Sequence, residues 1–307
     1  MSAVEASAHV GRIDWIAVDW GTSTMRAWGI DADGRTLATE PPGPGMGALE
    51  PGEFEDALLR AVGSWLDGPT DVLVCGMAGA RQGWREAPYH SVPASLDQLL
   101  DGVVEVPTKD DRLRVRIVPG LRVSDGGRHD VMRGEETQLL GFLHREQLRD
   151  AGVCLPGTHA KWVRLAGGTV VDFRTYLTGE LFALLSERSI LRHSVGEGWD
   201  DDAFVDGVRL GAGDAVGHLF SIRATDLLAA PDPGAARARL SGIVIGAELA
   251  SALTHAGPVD APIHVVAADA LARRYLVALR ALGRTGIAHD GGELALAGLV
   301  ALRLGGA

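Results

Sequence analysis

The stretch Ala17-Val18-Asp19-Trp20-Gly21-Thr22-Ser23-Thr24 sets the reading of the whole chain. The apolar run from Ile13 to Trp20 predicts a buried strand that ends in an acid, a glycine and three hydroxyl residues. Such a turn exposes backbone N–H groups. With Thr22, Ser23 and Thr24 these suit phosphate oxygens, while Gly21 permits close backbone approach. Asp19, at the strand end, suits a magnesium ion that offsets phosphate charge. The same residues also serve an ordinary strand-to-strand turn with a capping Asp, and this segment alone does not separate the two readings.

Outward from that stretch, Met25 to Ile30 reads as a strand, Asp33-Gly34 as a tight turn and Arg35 to Glu40 as a third strand. Phe54, Leu58, Val62 and Trp65 fall at steps of three and four, which predicts a helix over Glu53 to Leu66. Asp71 to Cys75 reads as a buried strand, and Gly76 to Pro93 as irregular chain. The second half opens in the same way. Val153 to Pro156 is a strand, Gly157-Thr158-His159-Ala160 a turn, Lys161 to Leu165 a strand, Gly167-Gly168 a hairpin turn and Thr169 to Phe173 a third strand. Helical patterns fill Gly179 to about Gly257. A strand at Ile263 to Ala267 and helices over Leu271 to Leu282 and Glu293 to Leu304 follow. A pattern repeated at this length predicts two related α/β domains facing each other, with mixed sheets covered by helices. The boundaries fall at 1–12 for an N-terminal extension, 13–135 for the first domain and 136–307 for the second.

Bulk properties narrow the class. The chain has 307 residues, 46% hydrophobic and 22% charged, which is an ordinary globular balance. A net charge of −11 without a basic run argues against a nucleic-acid surface. Cys75 and Cys154 lie in apolar strands and read as reduced, buried thiols. Met1 to Arg12 has no basic region followed by an apolar core, and no apolar run reaches membrane-span length. The expected protein is cytoplasmic, has no membrane partner, and is open to forming a homo-oligomer. Only Lys109 and Lys161 among its 29 basic residues are lysines. Lys109 sits in a charged turn, whereas Lys161 directly follows the second Gly-Thr loop.

The paired loops resemble the two phosphate motifs of the sugar kinase/Hsp70/actin superfamily. More closely, Ala17 to Ser23, Gly83-Trp84 with Ala87-Pro88-Tyr89, Val131-Met132-Arg133-Gly134-Glu135-Glu136-Thr137-Gln138, Pro156-Gly157-Thr158-His159 with Lys161-Trp162-Val163, Asp172-Phe173-Arg174-Thr175 and Thr178-Gly179-Glu180-Leu181 resemble the 2-dehydro-3-deoxygalactonokinase family. The resemblance runs from about residue 13 to the C-terminus. It implies a two-domain actin-like ATPase (ribonuclease H-like) fold with a cleft, ATP and Mg2+ as cofactors, and a small sugar acid as substrate. Gly21, Thr22, Ser23, Thr24, Gly157, Thr158, His159 and Lys161 are then candidates for phosphate, and Ala268 and Asp269 for adenosine. Two departures stand out. Gly79-Ala80-Arg81 lacks the serine often found after the Gly-Met turn, and Ala267-Ala268 carries methyl groups where the superfamily's adenosine turn has glycine.

Arg133, Arg81 and Arg174 are candidates for the substrate carboxylate, since a planar guanidinium binds it bidentately. Trp84 and Tyr89 join them as substrate candidates through the resemblance. A kinase for another sugar acid, such as 2-dehydro-3-deoxygluconate, fits the same motifs, and a non-catalytic actin-like switch fits them less well. In hexokinase-like members a carboxylate at the start of the helix before the second phosphate loop takes the hydroxyl proton. Here that helix reads from about Gly134 to Leu148 and opens with Glu135 and Glu136. At about 100° per residue both fall near the centre of the face set by Leu139, Leu140, Phe142 and Leu143. Complementing the helix dipole does not require inward-facing acids. Both are base candidates, with Glu135 preferred and Asp130 next.

Overall fold

The computed structural model describes residues 12–229, 232–255 and 261–305. Most of the expected N-terminal extension, and the end of the helical region near Gly257, lie outside them. Strand β1 (Trp15–Trp20) alternates its side chains between two cores, as a strand buried on both faces must. Trp15 and Ala17 face a central core, while Ile16, Val18 and Trp20 face the outer layer of helix α1 (Phe54–Val62) through Phe54, Leu58 and Val62. Strands β2 (Thr24–Ile30) and β3 (Thr36–Thr39) follow β1 as antiparallel neighbours, and β4 (Thr70–Gly76) lies parallel to β1 on its other side.

The stretch expected to be irregular contains a single helical turn at Met77–Gly79 and a short strand, β5 (Tyr89–Ser91). Strand β6 (Val104–Val106) pairs with β7 (Leu113–Ile117), which extends the first sheet in the order β3-β2-β1-β4-β7-β6. Strands β8 (Gly120–Asp125) and β9 (Arg128–Met132) form a small separate sheet with β5. Helix α2 (Glu135–Glu146) then leads to β10 (Ala151–Leu155), β11 (Ala160–Ala166) and β12 (Thr169–Tyr176), the antiparallel meander of the second sheet.

Three helices follow: α3 (Thr178–Arg188), α4 (Asp201–Ala229), kinked at Asp214, and α5 (Pro233–Ala252). Strand β13 (Ile263–Val266), helix α6 (Asp269–Ala281), strand β14 (Gly286–His289) and helix α7 (Gly291–Leu304) complete the chain. The second sheet runs β14-β13-β10-β11-β12, with β14, β13 and β10 mutually parallel. Its first strand carries antiparallel neighbours on one side and parallel ones on the other, as β1 does in the first sheet. Both sheets therefore have ribonuclease H-like topology, and the fold is the actin-like one.

One core joins the halves. Trp15, Leu73 and Cys75 of the first sheet, Leu139 and Phe142 of α2, Leu294 and Leu299 of α7, and Val153 and Leu155 of the second sheet are buried together. Helices α2 and α7 pack backbone to backbone at Gly141 and Gly298. A methyl group at Gly298 would occupy the space of the Thr137 carbonyl oxygen, and one at Gly141 that of Leu294. That close packing fixes the first turn of α2, which carries Glu135 and Glu136.

Candidate active site

The functional loops occupy the C-terminal ends of parallel strands, where open α/β sheets bind ligands. At the end of β1 the backbone doubles back, Gly21 N–H donating to the Thr24 carbonyl at 2.8 Å, and Thr22, Ser23 and Thr24 remain exposed. The chain at 45–47 supports this turn: Gly45 N–H donates to the Ser23 carbonyl and Gly47 N–H to that of Thr22.

Asp19 sits just before the turn with its side chain 13% exposed. Its Oδ2 accepts from Arg26 Nη2 at 2.9 Å, and Oδ1 lies 3.8 Å from the Cys75 thiol. Burial raises the proton affinity of the Asp19 carboxyl, Arg26 opposes that, and the charge of Glu135 adds to it. The Asp19 carboxylate is a hard oxygen donor of the kind a divalent cation takes, and among the described residues it is not part of a cluster of three or more His, Cys, Asp or Glu side chains. Both cysteines are free and buried.

Helix α2 begins at Gly134, whose φ of 105° takes the chain sharply out of β9. Glu136 is fully buried. Its carboxylate accepts from Gly134 N–H at 2.7 and 2.9 Å and from the Thr137 hydroxyl at 3.2 Å. Burial, reinforced by the charge of Glu135, pushes its carboxyl up to about 8. Glu135 is the more open of the two, with its side chain 22% exposed. Its Oε2 accepts from Arg133 N–H at 2.9 Å, and its Oε1 lies 3.5 Å from Lys161 Nζ.

Lys161 comes from β11 in the other sheet and is buried; it also donates to the His159 carbonyl at 3.2 Å. Asp19, Glu135, Glu136 and Lys161 thus meet where the two sheets converge. Beside them, the exposed Thr158 and His159 form the second loop with Gly157. The start of α3 holds that loop: Glu180 N–H donates to the Thr158 carbonyl at 3.0 Å, and its carboxylate meets His159 Nε2 at 2.6 Å. Gly179 lies against the Gly157 carbonyl so closely that a side chain there has no room.

The remaining candidates are distributed unevenly. Arg133 is buried, its guanidinium 4.2 Å above the Tyr89 ring, with Nη2 donating to the Ala87 carbonyl at 2.7 Å. Its Nε and Nη1 are buried without a protein partner. Arg174 also has an unpartnered, buried Nε. Arg81 is mostly exposed beside Glu86. Trp84 stacks on Phe54 and meets Trp20 edge-on, a packing position in the first outer core. Asp269 opens α6 with a highly exposed side chain, and Ala268 is its N-cap. Asp130 joins two sheets, accepting from Thr175 N–H at 2.8 Å and the Thr175 hydroxyl at 2.5 Å.

Two residues had no motif to mark them. Arg26, the partner of Asp19, is one strand arginine among many. Glu248 lies 27 to 86 residues along the sequence from the side chains that donate to it.

Two ribonuclease H-like sheets, each ending a strand in a Gly-Thr loop beside shared buried charges, define a protein of the actin-like ATPase fold. The profile of the 2-keto-3-deoxy-galactonokinase family matches residues 19–302. The chain is 42% identical over 297 residues to a Rhizobium meliloti (strain 1021) protein named as a probable 2-dehydro-3-deoxygalactonokinase, covering 94% of this chain and 95% of that protein. It is 35% identical over 272 residues to the 2-dehydro-3-deoxygalactonokinase of Escherichia coli (strain K12), covering 88% and 90%. A Sinorhizobium meliloti crystal structure assigned to the same enzyme superposes with a TM-score of 0.86 at 39% identity, covering 94% of this chain and 95% of that one. The chain belongs to the 2-keto-3-deoxy-galactonokinase family.

Proposed function

We propose that this protein transfers the γ-phosphoryl group of ATP to the terminal (6-) hydroxyl of 2-dehydro-3-deoxy-D-galactonate, giving the 6-phosphate, in cytoplasmic D-galactonate breakdown. Family membership supports the reaction. The observation that carries the mechanism is the meeting of Glu135, from α2, with Lys161, from the opposite sheet, at 3.5 Å.

Phosphoryl transfer needs positioning, charge neutralisation and a base for the attacking hydroxyl. Glu135 is the base: it is the more open of the two acids, and its Oε1 is paired with the Lys161 ammonium. Glu136, locked by Gly134 and Thr137, holds the first turn of α2 in place. When nucleotide enters, Lys161 exchanges Glu135 for a phosphate oxygen, which frees the carboxylate to take the hydroxyl proton as it neutralises the phosphate. The exposed hydroxyls of Thr22, Ser23, Thr24 and Thr158, with Gly21, Gly157 and His159 of the same loops, cradle the phosphates from two sides. Mg2+ would be held by Asp19, directly or through water, and supplies charge neutralisation when bound.

Arg133, whose Nε and Nη1 are buried without a protein partner, takes the substrate carboxylate, and the Tyr89 ring lies against its guanidinium. Arg174, a further candidate for that role, lines a separate crevice with Trp162, Ala252 and His255, and Arg81 stands exposed beside Glu86. The two units, 13–135 and 136–307, close over the ligands and exclude water. A panel of sugar acids with ATP and Mg2+, read by coupled ADP release, tests the reading. Turnover highest with 2-dehydro-3-deoxy-D-galactonate is expected. A clear preference for 2-dehydro-3-deoxygluconate would move the assignment to that epimer.

A further inference from the structure

Glu248 lies in the interior of α5 and is 3% exposed. A buried carboxylate is costly unless its oxygens are satisfied, and a carboxylate without a cation is costlier still. No cation pairs with Glu248 among the described residues. Three neutral donors converge on it instead. Trp162 Nε1–H reaches Oε1 at 2.6 Å, Tyr275 O–H reaches Oε2 at 2.8 Å, and the Thr178 hydroxyl donates to the same Oε2. Burial raises its proton affinity, and the three hydrogen bonds oppose that.

The donors come from three elements that surround the second loop. Trp162 follows Lys161 on β11. Thr178 is the first residue of α3, immediately before the Gly179 and Glu180 contacts that hold Gly157 and Thr158. Tyr275 belongs to α6, whose N-terminus opens at the end of β13. Strands β10 and β13 are parallel neighbours, so the loop after β10 and the start of α6 lie side by side on one sheet edge. The first N–H groups of α6 add anion-binding capacity there. One buried carboxylate therefore braces the 157–159 loop against α6.

We propose that Glu248 is a positioning residue for the nucleotide: it fixes the spacing between the loop that takes phosphate and the helix start that takes the nucleoside end. The inference rests on reading this edge as the nucleotide site. Loosening the brace leaves every contacting group present but unfixed. A ligand that spans both ends then loses affinity, while the sugar acid, held elsewhere, does not.

Titration calorimetry with ADP, alongside KM for the sugar acid, tests the proposal. Glu248→Ala is expected to weaken ADP binding by at least about tenfold, as loss of outer-shell partners does, with the sugar-acid KM within about twofold of the parent. Glu248→Gln is expected to recover to within about threefold. Its amide oxygen accepts from Trp162, and its NH2 donates to the Tyr275 and Thr178 hydroxyls, which can rotate to accept. ADP binding by Glu248→Ala within about twofold of the parent overturns the proposal, as does an equal rise in both constants. Should the alanine variant not fold, Tyr275→Phe decides, with about threefold weaker ADP binding expected and unchanged binding contradicting the proposal. Parental ADP binding is measured first. Its absence overturns both this proposal and the kinase reading, whereas an unchanged variant on an active parent overturns this one alone.

Discussion

Lys161 Nζ and Glu135 Oε1 lie 3.5 Å apart, and this pair joins the second sheet to the first turn of α2. A buried ion pair does little for stability by itself, because desolvation offsets the attraction. The proposed mechanism uses it as an exchangeable contact. Lys161→Met is expected to raise KM for ATP and lower kcat by about 10²-fold, a typical loss for one preorganised charge. Steady-state kinetics checks this; parental values for both constants would make the pair purely structural.

Glu135→Gln and Glu136→Gln separate the two acids. Loss of the base at Glu135 is expected to lower kcat by about 10²–10⁴-fold with KM little altered. Glu136→Gln retains a group that can accept from Gly134 N–H, so its kcat is expected to fall by less than about tenfold. The reverse ranking would transfer the base role to Glu136.

The pH dependence of stability isolates Glu136. Its folded pKa of about 8 stands above the ordinary value of 4.5, so between these limits the folded protein binds the extra proton. Stability contributed by this group is fully present below about 4.5 and is lost as pH rises toward about 8. Glu136→Gln is expected to flatten that decline in thermal melts recorded from pH 5 to pH 9. A variant whose Tm follows the parent across the range would show that Glu136 titrates normally.

Gly298→Ala tests how α2 is held. The added methyl pushes α7 away from the Thr137 carbonyl, with an expected destabilisation of about 1–3 kcal/mol, as for overpacking elsewhere. Because Thr137 follows Glu136, kcat should fall as well in the folded variant. Circular dichroism melts and kinetics on the same preparation measure both effects.

The sequence made both Gly-Thr loops legible, because a strand that ends in glycine and hydroxyl residues has a local signature, and its recurrence pairs the two sheets. The inward turn of Glu135 and Glu136 was legible from helical phase against Leu139 and Phe142. What stayed hidden depends on distant partners. Strands β5, β8 and β9 form a separate three-stranded sheet whose pairing shows in no local period. Asp130 looked like a reserve base, yet its oxygens are engaged by Thr175, 45 residues away. The packing of Trp84 on Phe54, 30 residues away, likewise has no local signature. Glu248 reads as a stray acid in an apolar helix, since its donors lie 27 to 86 residues away.

Identification of the product tests the central claim most directly. Purified protein is incubated with ATP, Mg2+ and 2-dehydro-3-deoxy-D-galactonate, and the mixture is followed by phosphorus NMR and mass spectrometry. The account predicts one ADP per sugar acid consumed and a phosphate monoester coupled to the protons on carbon 6. ADP formation no faster than in the absence of sugar acid, or a phosphate on any other carbon, would contradict it.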